Sequence, residues 1–300
     1  DVDYNGWWMC LIPTSVIRKI GLSLPLFLKW DDAEYGLRAK AAGIPTVSFP
    51  GAGVWHVSWT DKDDSVGWQA YYHERNRLIT ALLHSPFDKG GRVLVDSMFL
   101  DVKHTLSMQY YTQAGRLMAL EDLLAGPEHL HESLSARLPV IRQLAGEYPE
   151  SQMKPNVDDF PTVKSKKPPF HGRRNFKSPG YKKLVPWTAR TVARQLFKPV
   201  DDEAKEHPQI QLNYGETNWW TLSKFDSALA TNAEGTGLFW YRRDPQQLRS
   251  KLIHATRLHA KIIKDWEQLR KRYQDAAADV ASYDAWAETF AKHTESELKR

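Results

Sequence analysis

Residues 29–39 read KWDDAEYGLRA, a stretch in which three carboxylates come shortly after an apolar segment. Alanine, leucine, arginine and glutamate favour the helical conformation, and Gly43 follows as a stop signal. The stretch therefore predicts a helix over residues 31–42. Acidic residues at a helix start also interact favourably with the positive end of the helix dipole, which agrees with this placement.

The three carboxylates of this stretch do not need the same explanation. With Asp31 as the N-cap, Glu34 has the spacing of a capping box, in which two side chains accept backbone N–H groups. Asp32 has no part in that box and would begin the helix itself. It is either one more favourable charge at the helix start or a general base that faces a cleft.

The first 85 residues alternate between short apolar runs and helical patterns, which indicates an α/β arrangement. The predicted strands cover residues 8–12, 44–49 and 53–59. The predicted helices cover residues 13–20, 31–42 and 67–84. A polar loop is predicted at residues 61–64.

The remainder of the chain divides into three further regions. Residues 86–150 have a helical pattern, and residues 151–208 are basic and rich in proline, with one short helix predicted over 186–197. Residues 209–300 predict a small β-meander followed by long helices. The predicted meander strands cover residues 219–225 and 238–242, with a turn at 233–237. An apolar stripe at helical spacing runs from Leu248 to Tyr273 and indicates a packing face.

Charge and composition narrow the class of protein. The formal net charge is +5, but residues 151–200 carry twelve Lys and Arg against two Asp, a local net charge of +10. Such a segment is either a solvated linker or a contact with an anionic partner. A nucleic-acid partner is not expected, because the basic residues do not lie on a recognisable binding fold. The single cysteine excludes an internal disulfide framework and a multi-cysteine zinc site.

Several aromatic and basic residues near the two aspartates are further candidates. Trp7 and Trp8 follow Gly6, so one ring can pack inward while the other offers a platform for a sugar ring. His56 is either a structural residue or one ligand of a metal that needs carboxylates from elsewhere. The cluster at residues 71–77 is either a salt-bridged exposed turn at a helix start or a phosphate contact through Arg75 and Arg77.

The order of these motifs resembles a known enzyme family. The matching motifs are N-G-W-W (5–8), W-D-D-A-E-Y-G-L-R (30–38), G-A-x-x-W-H (51–56), Y-x-H-x-R-N-R-L (71–78) and L-A-G-P-E-H (124–129). Together they resemble the C-terminal half of the catalytic domain of inverting family 2 glycosyltransferases. Among these, the sequence is most similar to the polymerising galactofuranosyltransferases of actinobacterial cell-wall galactan synthesis.

The resemblance implies a fold and a chemistry. The implied fold is the C-terminal half of a GT-A domain (residues 1–85), followed by a mainly helical C-terminal domain with a small β-meander. The implied reaction uses UDP-galactofuranose and Mn²⁺ or Mg²⁺ and inverts the anomeric centre. The implied roles are Asp32 as general base, Asp31 as its acidic neighbour, His56 as metal ligand, Trp7 and Trp8 as the aromatic pair of the acceptor site, and His73 as a polar residue near the sugars.

The resemblance also implies partners and a location. The family enzyme extends a lipid-linked galactan acceptor with β-1,5 and β-1,6 linkages, forms a tetramer, and rests on the anionic cytoplasmic face of the plasma membrane. The family's aspartate-rich metal and nucleotide motif lies upstream of the matched region. We therefore expect the 300 residues to be part of a longer protein and inactive alone. Two alternatives are a rhamnosyl or chain-initiating galactofuranosyl transferase, and a non-catalytic sugar- or membrane-binding module.

Overall fold

The computed structural model describes residues 1–49, 51, 53–56, 64–164 and 177–298. Within these ranges the chain is mainly α-helical and contains one small sheet. The helices are α1 (Thr14–Ile20), α2 (Asp31–Ala41), α3 (Gln69–His84), α4 (Val93–Leu106), α5 (Tyr110–Ala125), α6 (Leu130–Leu144), α7 (Leu184–Phe197), α8 (Asp202–Glu206), α9 (Trp219–Leu222), α10 (Pro245–Lys264), α11 (Trp266–Val280) and α12 (Tyr283–Leu298). The strands are β1 (Gln211–Leu212), β2 (Ser227–Thr231) and β3 (Leu238–Arg242).

The three helices predicted in the first 85 residues are confirmed as α1, α2 and α3, but the predicted strands are wrong where they are described. Residues 8–12 are irregular and largely exposed. Residues 44–49 contribute a single antiparallel bridge, between Thr46 and Val2. Residues 53–56 are also irregular, and the rest of that predicted strand and most of the predicted loop lie outside the described residues. A strand persists only where a neighbour takes its backbone hydrogen bonds, and within the described residues these segments have only the Val2–Thr46 bridge.

The start of α2 differs from the predicted capping box. Trp30, in a left-handed conformation with φ 67°, precedes the helix, and Asp31 is its first residue rather than its N-cap. Asp32 is consequently the second helical residue. Glu34 is buried and its carboxylate turns toward Arg38 instead of the helix start. The carboxylates still favour the helix through its dipole, so the helix forms as predicted without the box.

The main core lies between α3, α5, α10 and α11. Its buried apolar side chains include Leu78, Ile79, Leu82, Leu120, Leu123, Ile262, Trp266, Leu269 and Tyr273. The apolar stripe predicted from Leu248 to Tyr273 is confirmed as a packing face, although Asp265 divides it between two helices. Removing such side chains from water is the dominant favourable term in folding.

A buried ion network crosses the same helices. Arg116 on α5 pairs with Glu74 on α3 at 2.6 Å and with Asp101 on α4 at 2.7 Å. All three side chains are nearly inaccessible to solvent. Because an unpaired buried charge is costly, the network favours one relative arrangement of α3, α4 and α5.

The small sheet is mixed, so the predicted β-meander is wrong in its connectivity. Strand β1 pairs in parallel with β2, and β2 pairs antiparallel with β3. The predicted strand over residues 219–225 is instead the short helix α9, whose Trp219 packs edge-on against the rings of Phe99 and Trp187. The predicted strand 238–242 and the turn before it are confirmed.

The basic, proline-rich region is partly packed on the sheet. Lys154 forms an antiparallel bridge with Leu238, and Phe160 is buried against the sheet. The short helix predicted over residues 186–197 is confirmed as α7. No helix in the described ranges combines the length and the apolar character needed to cross a bilayer.

Candidate functional site

The segment that leads into the two aspartates is held by α3. Leu28 and Trp30 both have left-handed backbone conformations, with φ 69° and 67°, which are uncommon for residues other than glycine. Asn76 Nδ2 donates to the carbonyl of Lys29 at 2.8 Å and to that of Phe27 at 3.3 Å. Such a backbone persists only where its surroundings stabilise it, so Asn76 helps to determine where α2 begins.

The two aspartates have different surroundings. Burial raises the pKa of Asp31, and the negative charge of Asp32 adds to this effect, while hydrogen bonds from backbone N–H groups and the charge of Lys29 oppose it. The Asp32 carboxylate accepts the backbone N–H of Ala33 at 2.7 Å and lines a cavity. Of the two, Asp32 therefore has the position that a group acting on a bound molecule requires.

That cavity has a volume of about 610 Å³ and brings the predicted aromatic pair and Asp32 together. The Trp7 ring meets the Tyr35 ring edge-on at 5.5 Å between centroids. The Trp8 ring, 56% exposed, lies 4.7 Å from the His56 imidazole. The volume lies within the range of about 300–1,000 Å³ that small-molecule sites occupy. We call this space the tryptophan cavity.

A close backbone contact positions the segment that carries Trp7 and Trp8. A Cβ built on Gly36 of α2 would lie 2.8 Å from the Cα of Tyr4. The absence of a side chain at Gly36 therefore lets the N-terminal segment lie directly on α2. This contact explains how residues about 25 positions apart line one cavity.

His73 lies on α3, and it is not among the residues that line the tryptophan cavity. Burial lowers its pKa to about 4, and the positive charge of Lys29 acts in the same direction. Lys29 also forms a 2.7 Å ion pair with Asp64. His73 is thus a neutral imidazole at pH 7, and it lies close enough to Lys29 for that charge to affect its pKa.

The arginines at residues 75 and 77 do not form a phosphate site. Arg75 is fully buried, and its guanidinium donates to Asn76 Oδ1, Tyr71 OH and Ser133 Oγ. Arg77 pairs with Glu74 at 3.1 Å. The turn does contain an ion pair, but Glu74 and Arg75 are fully buried, so the prediction of an exposed turn is wrong. The hypothesis of a phosphate contact is also wrong for Arg75.

The sequence pattern missed three residues that shape the site. Asn76 holds the aspartate segment, although the R-N-R pattern had drawn attention to the arginines. Glu34 joins α2 to α3 through His84 at 3.1 Å, and it also pairs with Arg38 of its own helix at 3.0 Å. Lys29 links the surroundings of Asp31 and His73. Of these three residues, only Lys29 had a signal in the sequence, because the K-W-D-D motif places its charge close to two aspartates.

The described residues do not complete a divalent-metal site. Within the ranges the structure describes, no three His, Cys, Asp or Glu side chains come together as metal ligands. His56 offers one imidazole beside Trp8. Since Mn²⁺ and Mg²⁺ prefer several oxygen ligands, His56 as a metal ligand stays a prediction that needs further ligands.

Comparison with known proteins decides the family. Residues 93–292 match the family model described as galactofuranosyltransferase-2, domain 3. The chain belongs to this galactofuranosyltransferase family. It is 36% identical over 301 residues to galactofuranosyltransferase GlfT2 of Mycolicibacterium smegmatis, covering 100% of the chain and 46% of that protein. It is also 36% identical over 288 residues to galactofuranosyltransferase GlfT2 of Mycobacterium tuberculosis, covering 95% of the chain and 44% of that protein.

Membership of the galactofuranosyltransferase-2 family confirms the resemblance seen in the motifs. The chain spans a little under half the length of these two relatives. The predicted mainly helical region with a small sheet is also observed. The family match covers this region, from α4 to most of α12. The GT-A fold of residues 1–85, the domain boundaries and the roles of the site residues stay predictions.

Proposed function

We propose that the chain forms the acceptor side of a site that transfers galactofuranose from UDP-galactofuranose to a growing galactan, with inversion at the anomeric carbon. The observation that carries the proposal is the tryptophan cavity, which Trp7, Trp8 and Asp32 line together in a member of the galactofuranosyltransferase-2 family. As part of the proposal, the donor-binding residues lie outside these 300 residues. The chain alone is then inactive.

Asp32 is proposed as the general base. The oxygen of the acceptor hydroxyl attacks the anomeric carbon from the face opposite UDP, and the bond from that carbon to the diphosphate oxygen breaks. The bonding electron pair leaves with UDP, and the hydroxyl proton passes to the Asp32 carboxylate. A base of this kind must lie within hydrogen-bonding reach of the hydroxyl, which the cavity position of Asp32 permits.

Asp31 and the two tryptophans are proposed as supporting residues. Asp31 is proposed as the acidic neighbour of Asp32 in the site, and its burial raises its pKa. Trp7 and Trp8 provide ring faces for the acceptor sugar, and the Tyr35 contact holds one of them. Orienting the hydroxyl in this way lowers the entropic part of the barrier. His73, neutral at pH 7, is proposed to hydrogen-bond a sugar hydroxyl.

Mn²⁺ or Mg²⁺ is proposed as the cofactor, with His56 as its ligand from this chain. When bound, such a cation neutralises charge on the diphosphate leaving group. Its carboxylate ligands are proposed to come from the donor side. The proton transfer to Asp32 described above does not depend on that assignment.

A membrane surface and self-association complete the proposal. At the start of α7, Tyr181 and Val185 are exposed close in sequence to Lys182 and Lys183, and Phe197 is exposed at the end of this helix. Exposed apolar groups combined with lysines favour binding to anionic lipid. This surface supports peripheral binding to the cytoplasmic face of the plasma membrane, where a lipid-linked galactan acceptor would be available. A homotetramer is proposed from the family resemblance.

The test uses the full-length protein with UDP-galactofuranose, Mn²⁺ and a short galactofuranosyl acceptor, and reads the products by mass. Wild type should give a ladder of added hexoses, and Asp32→Asn should lower the rate by about 10²–10⁴-fold, as expected for loss of a general base. Asp96→Asn is the matched control, because Asp96 is an exposed aspartate in the first turn of α4.

The possible results separate the parts of this proposal. A ladder that survives in Asp32→Asn with an unchanged rate would assign the base to another residue. The absence of any ladder in wild type, with correctly folded protein and several galactofuranosyl acceptors, would refute the proposed donor or acceptor. An equal loss in Asp96→Asn would show that the Asp32 effect is not specific to the cavity.

A further inference from the structure

A second cleft lies at the N-terminal end of α3. It is formed by the N-terminal ends of α3 and α5 and by the β2–β3 hairpin, and its volume is about 410 Å³. We call it the hairpin cleft. Its lining includes Trp68, Gln69, Tyr111, Tyr214, Asn232 and Phe239.

The chemistry of the lining selects a class of ligand. The lining contains five aromatic rings together with side-chain amides and hydroxyl groups, the latter including Thr112 and Thr217. No Lys, Arg or His is among the lining residues, all of which the structure describes. A phosphate or an anionic headgroup would need such cations. Aromatic faces with neutral hydrogen-bonding groups instead suit a ligand with apolar faces and many hydroxyls, such as an uncharged oligosaccharide.

The acidic groups of the cleft agree with this choice. Glu150 accepts the backbone N–H of Tyr111 at 2.8 Å, and burial raises the pKa of its carboxyl group. Glu234 lies on the hairpin and is the other carboxylate in the lining. Carboxylates repel anionic ligands and accept hydrogen bonds from sugar hydroxyls.

The walls of the cleft are held in place before any ligand binds. The N–H of Gly67 donates to Thr112 Oγ1 at 2.9 Å, which ties the start of α3 to the start of α5. The Tyr111 hydroxyl donates to the carbonyl of Ile141 at 2.9 Å. The Trp68 ring lies under the guanidinium of Arg142 at 5.6 Å. A preformed site loses less conformational freedom on binding, which favours affinity.

The hairpin cleft is connected to the aspartate segment along α3. Gln69 lines the cleft and His73 lies four residues later, so both side chains are on one face of the helix. The Trp68 ring also contacts the Tyr72 ring at 6.2 Å, and Tyr72 contacts Phe27 at 5.1 Å. Phe27 begins the segment that Asn76 holds before the two aspartates.

We propose that the hairpin cleft binds an uncharged oligosaccharide, namely the part of the acceptor chain that lies remote from the attacking hydroxyl. This inference rests on the proposed function for the identity of the chain, while the class of ligand rests on the cleft lining. A long acceptor would contact both the region of His73 and the cleft, whereas a disaccharide would reach only the former. The cleft would therefore favour extension of longer chains.

The test compares a galactofuranosyl disaccharide and a hexasaccharide as acceptors for the full-length protein. Trp68→Ala removes one ring, and Ala233→Trp places a bulky group in the half-exposed hairpin turn without removing any contact of the lining. Phe87→Ala is the control, since Phe87 is an exposed aromatic that does not line the cleft. In both cleft variants, the ratio of kcat/KM for the hexasaccharide to that for the disaccharide should fall about tenfold, because Trp68→Ala removes an aromatic contact and Ala233→Trp fills part of the cleft.

An unchanged ratio in both cleft variants, or an equal fall in Phe87→Ala, would overturn the proposal. A second measurement, calorimetric titration of the hexasaccharide without donor, separates it from the proposed transfer reaction. A dissociation constant about tenfold weaker in Trp68→Ala and Ala233→Trp would support the cleft even if no transfer occurs. The same dissociation constant in wild type and both cleft variants would overturn the cleft site whatever the activity.

Discussion

Replacing Asn76 with alanine tests whether α3 holds the segment that leads into Asp31 and Asp32. Asn76 is fully buried. Its side chain makes three hydrogen bonds, donating to the carbonyls of Lys29 and Phe27 and accepting Arg75 Nε at 2.9 Å. Alanine removes all three hydrogen bonds at once, because its side chain has no polar atom.

The expected loss of stability follows from the geometry of these bonds. The 2.8 Å bond to the Lys29 carbonyl is a full hydrogen bond, whereas the 3.3 Å bond to Phe27 exceeds the usual range and counts for less. The third bond involves the charged guanidinium of Arg75, and bonds to charged groups contribute about 1.5–3 kcal/mol, against about 0.5–1.5 kcal/mol for neutral ones. We therefore expect Asn76→Ala to lower the free energy of unfolding by about 3–5 kcal/mol.

The measurement is urea denaturation of wild type, Asn76→Ala and Thr80→Val, read by circular dichroism. Thr80 is the matched control on the next turn of α3, because it is buried and its hydroxyl donates to the Asn76 carbonyl within the helix. Its replacement should cost less than about 1.5 kcal/mol, the upper value for one neutral bond. A loss below about 1 kcal/mol in Asn76→Ala would refute the reasoning, since the left-handed segment would then keep its place without Asn76.

Two further predictions concern packing and pH. Gly36→Ala should lower the free energy of unfolding by about 1–3 kcal/mol, because the new methyl group meets the Tyr4 backbone at 2.8 Å. Gly146→Ala is the control, since the space around Gly146 is open and no such loss is expected. Thermal unfolding of both variants checks this prediction, and equal melting temperatures would contradict it. Burial lowers the pKa of Lys251 to about 8 in the folded protein, below the ordinary 10.5. The unfolded chain therefore binds more protons between those values, and stability should rise with pH from about 8 to 10.5. In Lys251→Met this rise should be smaller, as measured by denaturation at several pH values, and an identical slope would show that Lys251 is not responsible.

The helices could be predicted from the sequence because their signals are local. In α2 the acids, the helix formers and Gly43 all lie within thirteen residues, and the stripe of α10 and α11 repeats at helical spacing. Helix hydrogen bonds join residues four apart, so neighbouring residues largely determine whether a helix forms. The motifs that indicated the family are local in the same way.

The strands and the partners of polar side chains depended on the tertiary structure. The apolar run at residues 8–12 had a strand pattern, but no described segment lies beside it to pair with. Glu34 had the spacing of a cap, yet its carboxylate accepts from Arg38 of the same helix and contacts His84 of α3. The contact with His84 comes from a residue 50 positions away, which local spacing does not specify. Strand pairing likewise depends on segments elsewhere in the chain.

The candidate site shows the same division. The sequence alone determined that Trp7, Trp8 and two adjacent aspartates are present in motifs typical of a galactofuranosyltransferase. Only the tertiary structure decided that Asp32 lines the tryptophan cavity, that burial raises the pKa of Asp31, and that Asn76 holds the segment before them. The physical reason is that burial and hydrogen bonding are properties of the surroundings in space, and these surroundings come from α3 and the N-terminal segment.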